Sequence, residues 1–511
     1  MESVRIIPLG GLGEFGLNMM LVEYGEAAIA IDCGLMFPGA DLLGIDLVIP
    51  DISYLLENKH KLKAIVLTHA HEDHMGAVPY VLERLSVPIY ATRLTLGLLS
   101  NRVREHGLED VADVREITAG KLWELGPFKL EGIRVTHSLM DCLALAIQTP
   151  VGTIIHTGDF KIDNTPMEGE MFDFQRFAAY GEKGVLLLLS DSTNVERRGH
   201  TGSEREVGTN LEQIFQQSRG RVLVSTFASS IPRIQQVLEI SERCERRVVL
   251  SGRSMVRNSQ VAADLGYLRL PRSFMTENDH WQDLAPDRVA FLTTGSQGEP
   301  LSVLHRVALN GHKTIKSQPG DNVILSSKFI PGNEKIISNL INHLYRRGAE
   351  VHYEKVSEIH VSGHASQEEL KIMLQLTRPR FFVPIHGEYR HLVRHQRLAQ
   401  EVGVPESNCF ILEDGDVLEL TAQDAHKTTP VQVGKVFVDG KGIGDVGPIV
   451  IRDRRHLSED GMVLAVLAIH QQSGEIVAGP DLISRGFVRD EEGEEILEQA
   501  RKVVLETFSG M

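Results

Sequence analysis

Residues 68–76 read Thr-His-Ala-His-Glu-Asp-His-Met-Gly. His69, His71, Asp73 and His74 fall within six residues, directly after the apolar run Ala64–Thr68. Zinc takes imidazole nitrogen and carboxylate oxygen at about 2.0–2.2 Å. The HxHxDH spacing lets alternate side chains point toward one ion and the next pair toward a second. One or two histidines in a loop are ordinarily solvated surface. Four ligand-type side chains between a buried strand and a helix (His74 to Leu85 at helical spacing) point instead to a two-metal hydrolytic site.

The missing ligands should come from other strand ends, where loops on such scaffolds carry function. His137 follows the strand Phe128–Val135, Asp159 follows Thr153–Thr157, and His386 follows Phe381–Ile385. Each alone reads as a satisfied structural residue; together they complete a two-metal set. Asp32, in Ile-Ala-Ile-Asp-Cys-Gly, is expected to orient a ligand histidine from behind. Two Zn²⁺ ions set against Asp73, Asp159 and a hydroxide leave the site at about +1, which favours an anionic centre such as a phosphodiester.

Two further segments carry chemistry. His360-Val361-Ser362-Gly363-His364-Ala365-Ser366 packs small residues between histidines. Amides around Ser362, Gly363 and Ala365, with a helix starting at Ser366, are placed to form an anion pocket. The plainer alternative is a tight turn before a capped helix, since Ser366 and Glu369 make a capping box for Gln367–Leu376. Asp191, in Ser-Asp-Ser-Thr-Asn194, also ends an apolar strand, Val185–Ser190. By contrast, Gly11-Leu-Gly13-Glu-Phe-Gly16 matches a dinucleotide fingerprint but leads into a strand, not a helix, and reads as a hairpin turn.

The 511 residues exceed one ordinary core. From Ser203 the pattern alternates helix and strand through Glu354, which predicts a doubly wound parallel-sheet domain inserted at 203–355 into a first domain made of 1–202 and 356–420. Residues 421–448 are polar and Gly-rich, like a linker, and 449–511 read as a partial third α/β domain. No apolar run reaches the roughly 18 residues of a membrane span, and the N-terminus does not read as a signal peptide. Four scattered cysteines fit a reducing cytoplasm. The net charge of −16 is not that of a nucleic-acid coat protein, although a cleft holding cations still attracts phosphate.

The stretches Pro8–Asn18, Thr68–Ala77, His156–Lys161, Leu189–Asn194, His360–Ala365 and Pro384–Arg390 resemble, in order, the motifs of the ribonuclease J family, in the β-CASP branch of the metallo-β-lactamase proteins. The resemblance implies an αββα sandwich with an inserted β-CASP domain and a C-terminal α/β domain, here partial. It implies two zinc ions per chain, with His69, His71 and His137 on one, Asp73, His74 and His386 on the other, and Asp159 between them. Asp73, His364 and Asp191 would be catalytic: Asp191 would support a metal-site histidine, and His364 would stabilise or protonate the departing oxygen. The implied activity is hydrolysis of single-stranded RNA in RNA maturation and mRNA decay, 5′-to-3′ from 5′-monophosphate ends and also endonucleolytic, with residues 360–366 as the phosphate pocket. Implied partners are a second or further copies of the chain, as homodimer or homotetramer, and other RNA-decay proteins. Sequence physics alone does not separate RNA from DNA. A non-catalytic scaffold is disfavoured by the intact ligand set, and a small-molecule hydrolase by the large insertion.

Overall fold

The computed structural model describes every residue except 1, 40, 168–170, 272–273, 278, 300, 330–332, 355–358, 441, 489–492 and 510–511. The expected junction at 355/356 lies outside the described residues, as does the expected start of the last helix at Glu491.

The chain divides into two compact units, one of residues 1–36 and 49–435, the other of 37–48 and 436–511. In the first unit, strands Val4–Gly10, Met19–Tyr24, Ala27–Ile31 and Leu62–Val66 are almost wholly apolar and form the middle of an eight-stranded sheet. Val417–Leu420 and Ala425–Thr428 extend one edge and Ile89–Ala91 and Val114–Glu116 the other. A six-stranded sheet runs in the order Phe381–Ile385, Val185–Asp191, Gly152–His156, Leu143–Thr149, Phe128–Arg134, Leu122–Leu125. Inward residues of the two sheets, among them Ile6, Val22, Ile29, Val66, Leu130, Leu145, Ile154, Leu187 and Val383, make one core. Burying so much aliphatic surface, at about 25 cal/mol per Å², holds the sandwich closed. Helices Phe174–Lys183, Gln367–Thr377 and Tyr389–Glu401 flank the second sheet.

Between these halves the chain builds a third sheet that is parallel throughout, in the order Met275–Thr276, Arg247–Ser251, Val289–Thr293, Val222–Ser225, Asn322–Leu325, Glu350–His352. Helix Glu204–Gln217 leads into it, and helices Ile231–Arg243, Arg253–Asp264, Val303–Ala308 and Glu334–Arg346 lie between its successive strands. Its core, around Leu223, Phe291, Val323, Ile337 and Leu344, is separate from that of the sandwich. The expected fold class is therefore present: a metallo-β-lactamase-type sandwich carrying an inserted doubly wound domain.

Two local readings change. The helix expected over His74–Leu85 is two short helices, Glu72–Met75 and Val78–Leu82. Ala77 donates its amide to Cys33 O, and Pro79 at the start of the second helix has no amide to continue the first. The stretch 421–448 is not a bare linker. Ala425–Thr428 pairs antiparallel with Val417–Leu420, and Lys435–Asp439 pairs with Gly442–Ile443. The second unit holds an antiparallel hairpin, Met462–Ile469 with Ile476–Arg485, and helices Pro448–Asp460 and Gly493–Ser509. Among the described residues no helix is long and apolar enough to cross a membrane.

Candidate metal centre

The HxHxDH loop is held by its own backbone against the first strands. Asn18 N donates to Asp73 O (3.2 Å), Cys33 N to His74 O (2.7 Å) and Leu35 N to Glu72 O (3.0 Å). Gly34 makes this possible, because a Cβ there would fall onto the Asp73 carbonyl. Asp32 adopts a left-handed conformation at φ 62° and His386 at φ 56°. Such φ values are costly for residues other than glycine and concentrate at sites where the surroundings hold them.

Two clusters form. In the first, His69 Nε2 and His137 Nε2 lie 3.0 and 3.2 Å from His71 Nδ1. In the second, His74 Nε2 and His386 Nε2 lie 3.6 and 3.4 Å from Asp73 Oδ2. Asp159 Oδ2 belongs to both: it is 3.6 Å from His69, 3.9 Å from His137, 3.2 Å from His74 and 3.6 Å from His386. All seven side chains expected as ligands are thus brought together, in the groupings His69–His71–His137–Asp159 and Asp73–His74–His386, with Asp159 close to both.

The donor set fits metal. Nitrogens bound to one zinc at 2.0–2.1 Å in a tetrahedron stand roughly 3.3 Å apart, close to the spacing of the first cluster. Ring nitrogens that face away are engaged elsewhere, as ligand histidines require. His74 Nδ1 meets Asp32 Oδ2 (2.8 Å), His137 Nδ1 donates to Gly363 O (2.7 Å), and His386 Nδ1 meets Thr193 Oγ1 (2.6 Å). His69 Nδ1 meets Thr68 Oγ1 (3.0 Å), which itself donates to Asp32. Burial holds His69 and His137 well below the ordinary histidine pKa and His71 at about 4, so these rings are neutral and their lone pairs free. In the second cluster burial is outweighed by carboxylates. Asp159, Asp73 and Asp32 raise His74, and Asp159, Asp191 and Asp73 raise His386 to about 10. That half of the site demands positive charge, which a divalent cation supplies.

Asp191 faces both the centre and its rim. Its Oδ2 lies 2.8 Å from His364 Nδ1, and its Oδ1 accepts from Thr193 Oγ1 (2.7 Å) and stands 3.5 Å from His386 Nδ1. The His364 ring stacks on His386 with centroids 5.3 Å apart, and its side chain is partly exposed. His364 is therefore a partly exposed imidazole oriented by a buried carboxylate beside the two ligand clusters, an arrangement chemically able to move a proton.

The 360–366 loop sits against the first cluster. A Cβ at Gly363 would lie 2.5 Å from His137 Cε1, so only glycine allows this approach. Val361, Ser362, Ala365 and Ser366 are buried. The capping box at Ser366 is present. It corrects one part of the anion-pocket reading: the Ser366 amide donates to Glu369 Oε2 (2.8 Å), which also receives Thr201 N (2.7 Å), so this helix end is already satisfied by a carboxylate. The His364 amide is also engaged, donating to Ser362 Oγ (3.2 Å). Asn194, Thr193, Thr68 and Asn18 were not singled out from the sequence. Asn194 Nδ2 donates to Ser362 Oγ (2.8 Å) and His364 O (3.0 Å), and Asn18 Nδ2 contacts Asp73 O and His74 Nε2. Their positions inside the quoted motifs were the available signal.

Known proteins bear on this geometry. Residues 12–192 match the metallo-beta-lactamase superfamily, 219–344 the ribonuclease J beta-CASP domain, 348–412 the Zn-dependent metallo-hydrolase RNA specificity domain and 449–511 the ribonuclease J C-terminal domain. Ribonuclease J 1 of Streptococcus pyogenes is 43% identical over 98% of this chain and 90% of its own length. Ribonuclease J of Thermus thermophilus is 44% identical over 99% and 88%, and ribonuclease J2 of Bacillus subtilis 41% over 98% and 90%. A crystal structure of a protein of unknown function from Enterococcus faecalis shares the fold, with a TM-score of 0.58 at 18% identity over 82% of this chain and 100% of that one. Sandwich, inserted sheet and histidine–aspartate clusters together define a metal-dependent hydrolase of the metallo-β-lactamase fold with a β-CASP insertion. Within that class, the chain belongs to the ribonuclease J family.

Proposed function

We propose that the protein is a two-zinc ribonuclease that hydrolyses phosphodiesters of single-stranded RNA, 5′-to-3′ from 5′-monophosphate ends and also endonucleolytically, in RNA maturation and mRNA decay. Family membership carries the coarser statement, that it is a metal-dependent hydrolytic ribonuclease. The observation that carries the finer reading is the sharing of Asp159 Oδ2 between two ligand clusters, with His364 held by Asp191 at their exposed side.

His69, His71 and His137 would hold one zinc, Asp73, His74 and His386 the other, and Asp159 both. When bound, the two ions supply Lewis acidity at the phosphoryl centre and offset its charge during in-line displacement. The chain's own residues do the rest. Asp32 and Thr193 keep His74 and His386 aimed at the site, and Asp191 holds Nδ1 of His364 so that its ring can protonate the departing oxygen. An anion pocket at 360–366 is supported by its surroundings: burial first, then Arg233, Lys328, Lys161 and Arg197, hold the His360 ring well below the ordinary histidine pKa. The burial penalises any charge, but the positive field of these four cations would favour a phosphate. The chain would work in the cytoplasm as a homodimer or homotetramer, alongside other RNA-decay proteins.

End-labelled single-stranded RNA and DNA of one sequence test the reading. Mononucleotides released from the 5′ end of RNA alone are expected. Equal cleavage of DNA would instead make the protein a general β-CASP nuclease, and no cleavage of either would contradict the proposal.

A further inference from the structure

The pocket at 360–366 offers backbone amides but no cation of its own. Of the four cations around His360, two are spent. Lys161 is fully buried, with its ammonium 3.5 Å from Asp163 Oδ2 and donating to Gly202 O. Arg233, also buried, pairs with Glu204 and donates to Ser326 Oγ and to Ile359 O. Arg197 is exposed at the surface. Lys328, also exposed, differs from all three in that its ammonium reaches Asn194, the residue that holds the loop.

Lys328 follows Asn322–Leu325, an interior strand of the inserted parallel sheet, just past its carboxyl end. That is where parallel α/β sheets place ligand groups. The backbone there is fixed against the pocket. Ser326 Oγ donates to Ile359 O (2.7 Å), the residue before His360, and Gln297 Nε2 donates to Ser327 Oγ (3.0 Å) and Lys328 O (2.8 Å). From this anchor the exposed Lys328 side chain reaches back to the sandwich, its Nζ 3.5 Å from Asn194 Oδ1. Asn194 is the residue whose amide holds Ser362 and His364. Among the described residues the ammonium meets this neutral oxygen and no carboxylate.

We propose that Lys328 is a specificity-determining residue: its ammonium binds the terminal phosphomonoester of the RNA at the 360–366 loop. A 5′-monophosphate carries close to two negative charges at neutral pH, more than an internal phosphodiester. Neutral amides orient such a group, whereas a lysine without a carboxylate partner rewards its extra charge. The inserted domain thereby supplies the charge that tells a phosphorylated end from a hydroxyl end. This inference rests on the phosphate-pocket reading above.

The experiment measures kcat/KM on one single-stranded RNA bearing a 5′-monophosphate or a 5′-hydroxyl, for the whole chain and for Lys328→Gln and Lys328→Arg. The parent should prefer the monophosphate, and K328Q should reduce that preference about ten-fold, chiefly through KM. The slope of log KM against log salt on monophosphorylated RNA should shrink by about 0.7, the value for one phosphate contact on a single strand. K328R should restore most of both. A parent that treats the two ends alike would remove the pocket reading itself. A discriminating parent with K328Q equally discriminating, or with K328Q losing activity on both ends in proportion, would overturn the role of Lys328 and leave the pocket standing.

Discussion

Replacing Asp32 with asparagine changes one atom of a buried carboxylate and should cost the protein metal. Asp32 Oδ1 accepts the Thr68 amide at 2.7 Å, and Oδ2 accepts from Thr68 Oγ1 at 2.9 Å and meets His74 Nδ1 at 2.8 Å. The Thr68 amide can only donate, so the asparagine oxygen must stay with it. Its NH₂ group then faces His74 Nδ1, which becomes an acceptor and moves the ring proton to Nε2. That nitrogen points at Asp159, 3.2 Å away, and at Asp73, where a lone pair is needed. Loss of such supporting contacts lowers metal affinity ten- to hundred-fold, or about 1.4–2.8 kcal/mol. Titration of D32N with a competing chelator, read by metal retention and by RNA turnover, checks this. Turnover should fall at limiting zinc and recover with excess zinc, while the fold persists. Parent-like retention of metal at every chelator concentration would refute the orienting role of Asp32.

Asp73→Asn or His74→Ala should abolish hydrolysis while RNA binding, measured by gel shift, largely survives; unchanged turnover would sink the two-metal reading. His364→Ala should lower kcat by about 10²–10⁴ with metal content intact, and Asp191→Asn should do so less severely, as seen by single-turnover kinetics. Gly34→Ala should reduce both metal content and thermal stability, because its Cβ meets backbone rather than a movable side chain. Asp414, whose Oδ1 accepts Leu12 N (3.0 Å), is pushed up to about 7 chiefly by burial. Between its unfolded value near 4 and 7 the folded state binds the extra proton, so stability should fall as pH rises through this window. Asp414→Asn should flatten that dependence and raise the melting temperature at pH 8 by a few degrees, as thermal scans at several pH values would show.

Much of the architecture was legible because local pattern and tertiary role agree. Helix Ile231–Arg243 and strands Arg247–Ser251 and Phe381–Ile385 end at the expected residues. The helix carries apolar residues at helical spacing and each strand an uninterrupted apolar run. Legibility failed where long-range contacts decide. The break after Met75 depends on the Cys33 carbonyl more than forty residues earlier. The edge strand Ala425–Thr428 reads Ala-His-Lys-Thr and is extended only because Val417–Leu420 offers it a partner. At the site, side chains that could bind metal were conspicuous by type and spacing. The groups that aim them were not: Thr68, Thr193 and Asn194 are ordinary polar residues until the fold brings Asp32, His386 and Ser362 beside them. Glu369 likewise read as a helix cap, and the cap is real, but the same carboxylate closes the helix end against an external anion.

Asp159 Oδ2, shared by the two ligand clusters, is the feature on which the rest depends, and metal stoichiometry tests it most directly. Elemental analysis of the purified chain, alongside its Asp159→Ala variant, should give about two zinc ions per chain for the parent and a loss from both positions in the variant. One ion or none in the active parent protein, or two ions retained without Asp159, would contradict the shared two-metal centre.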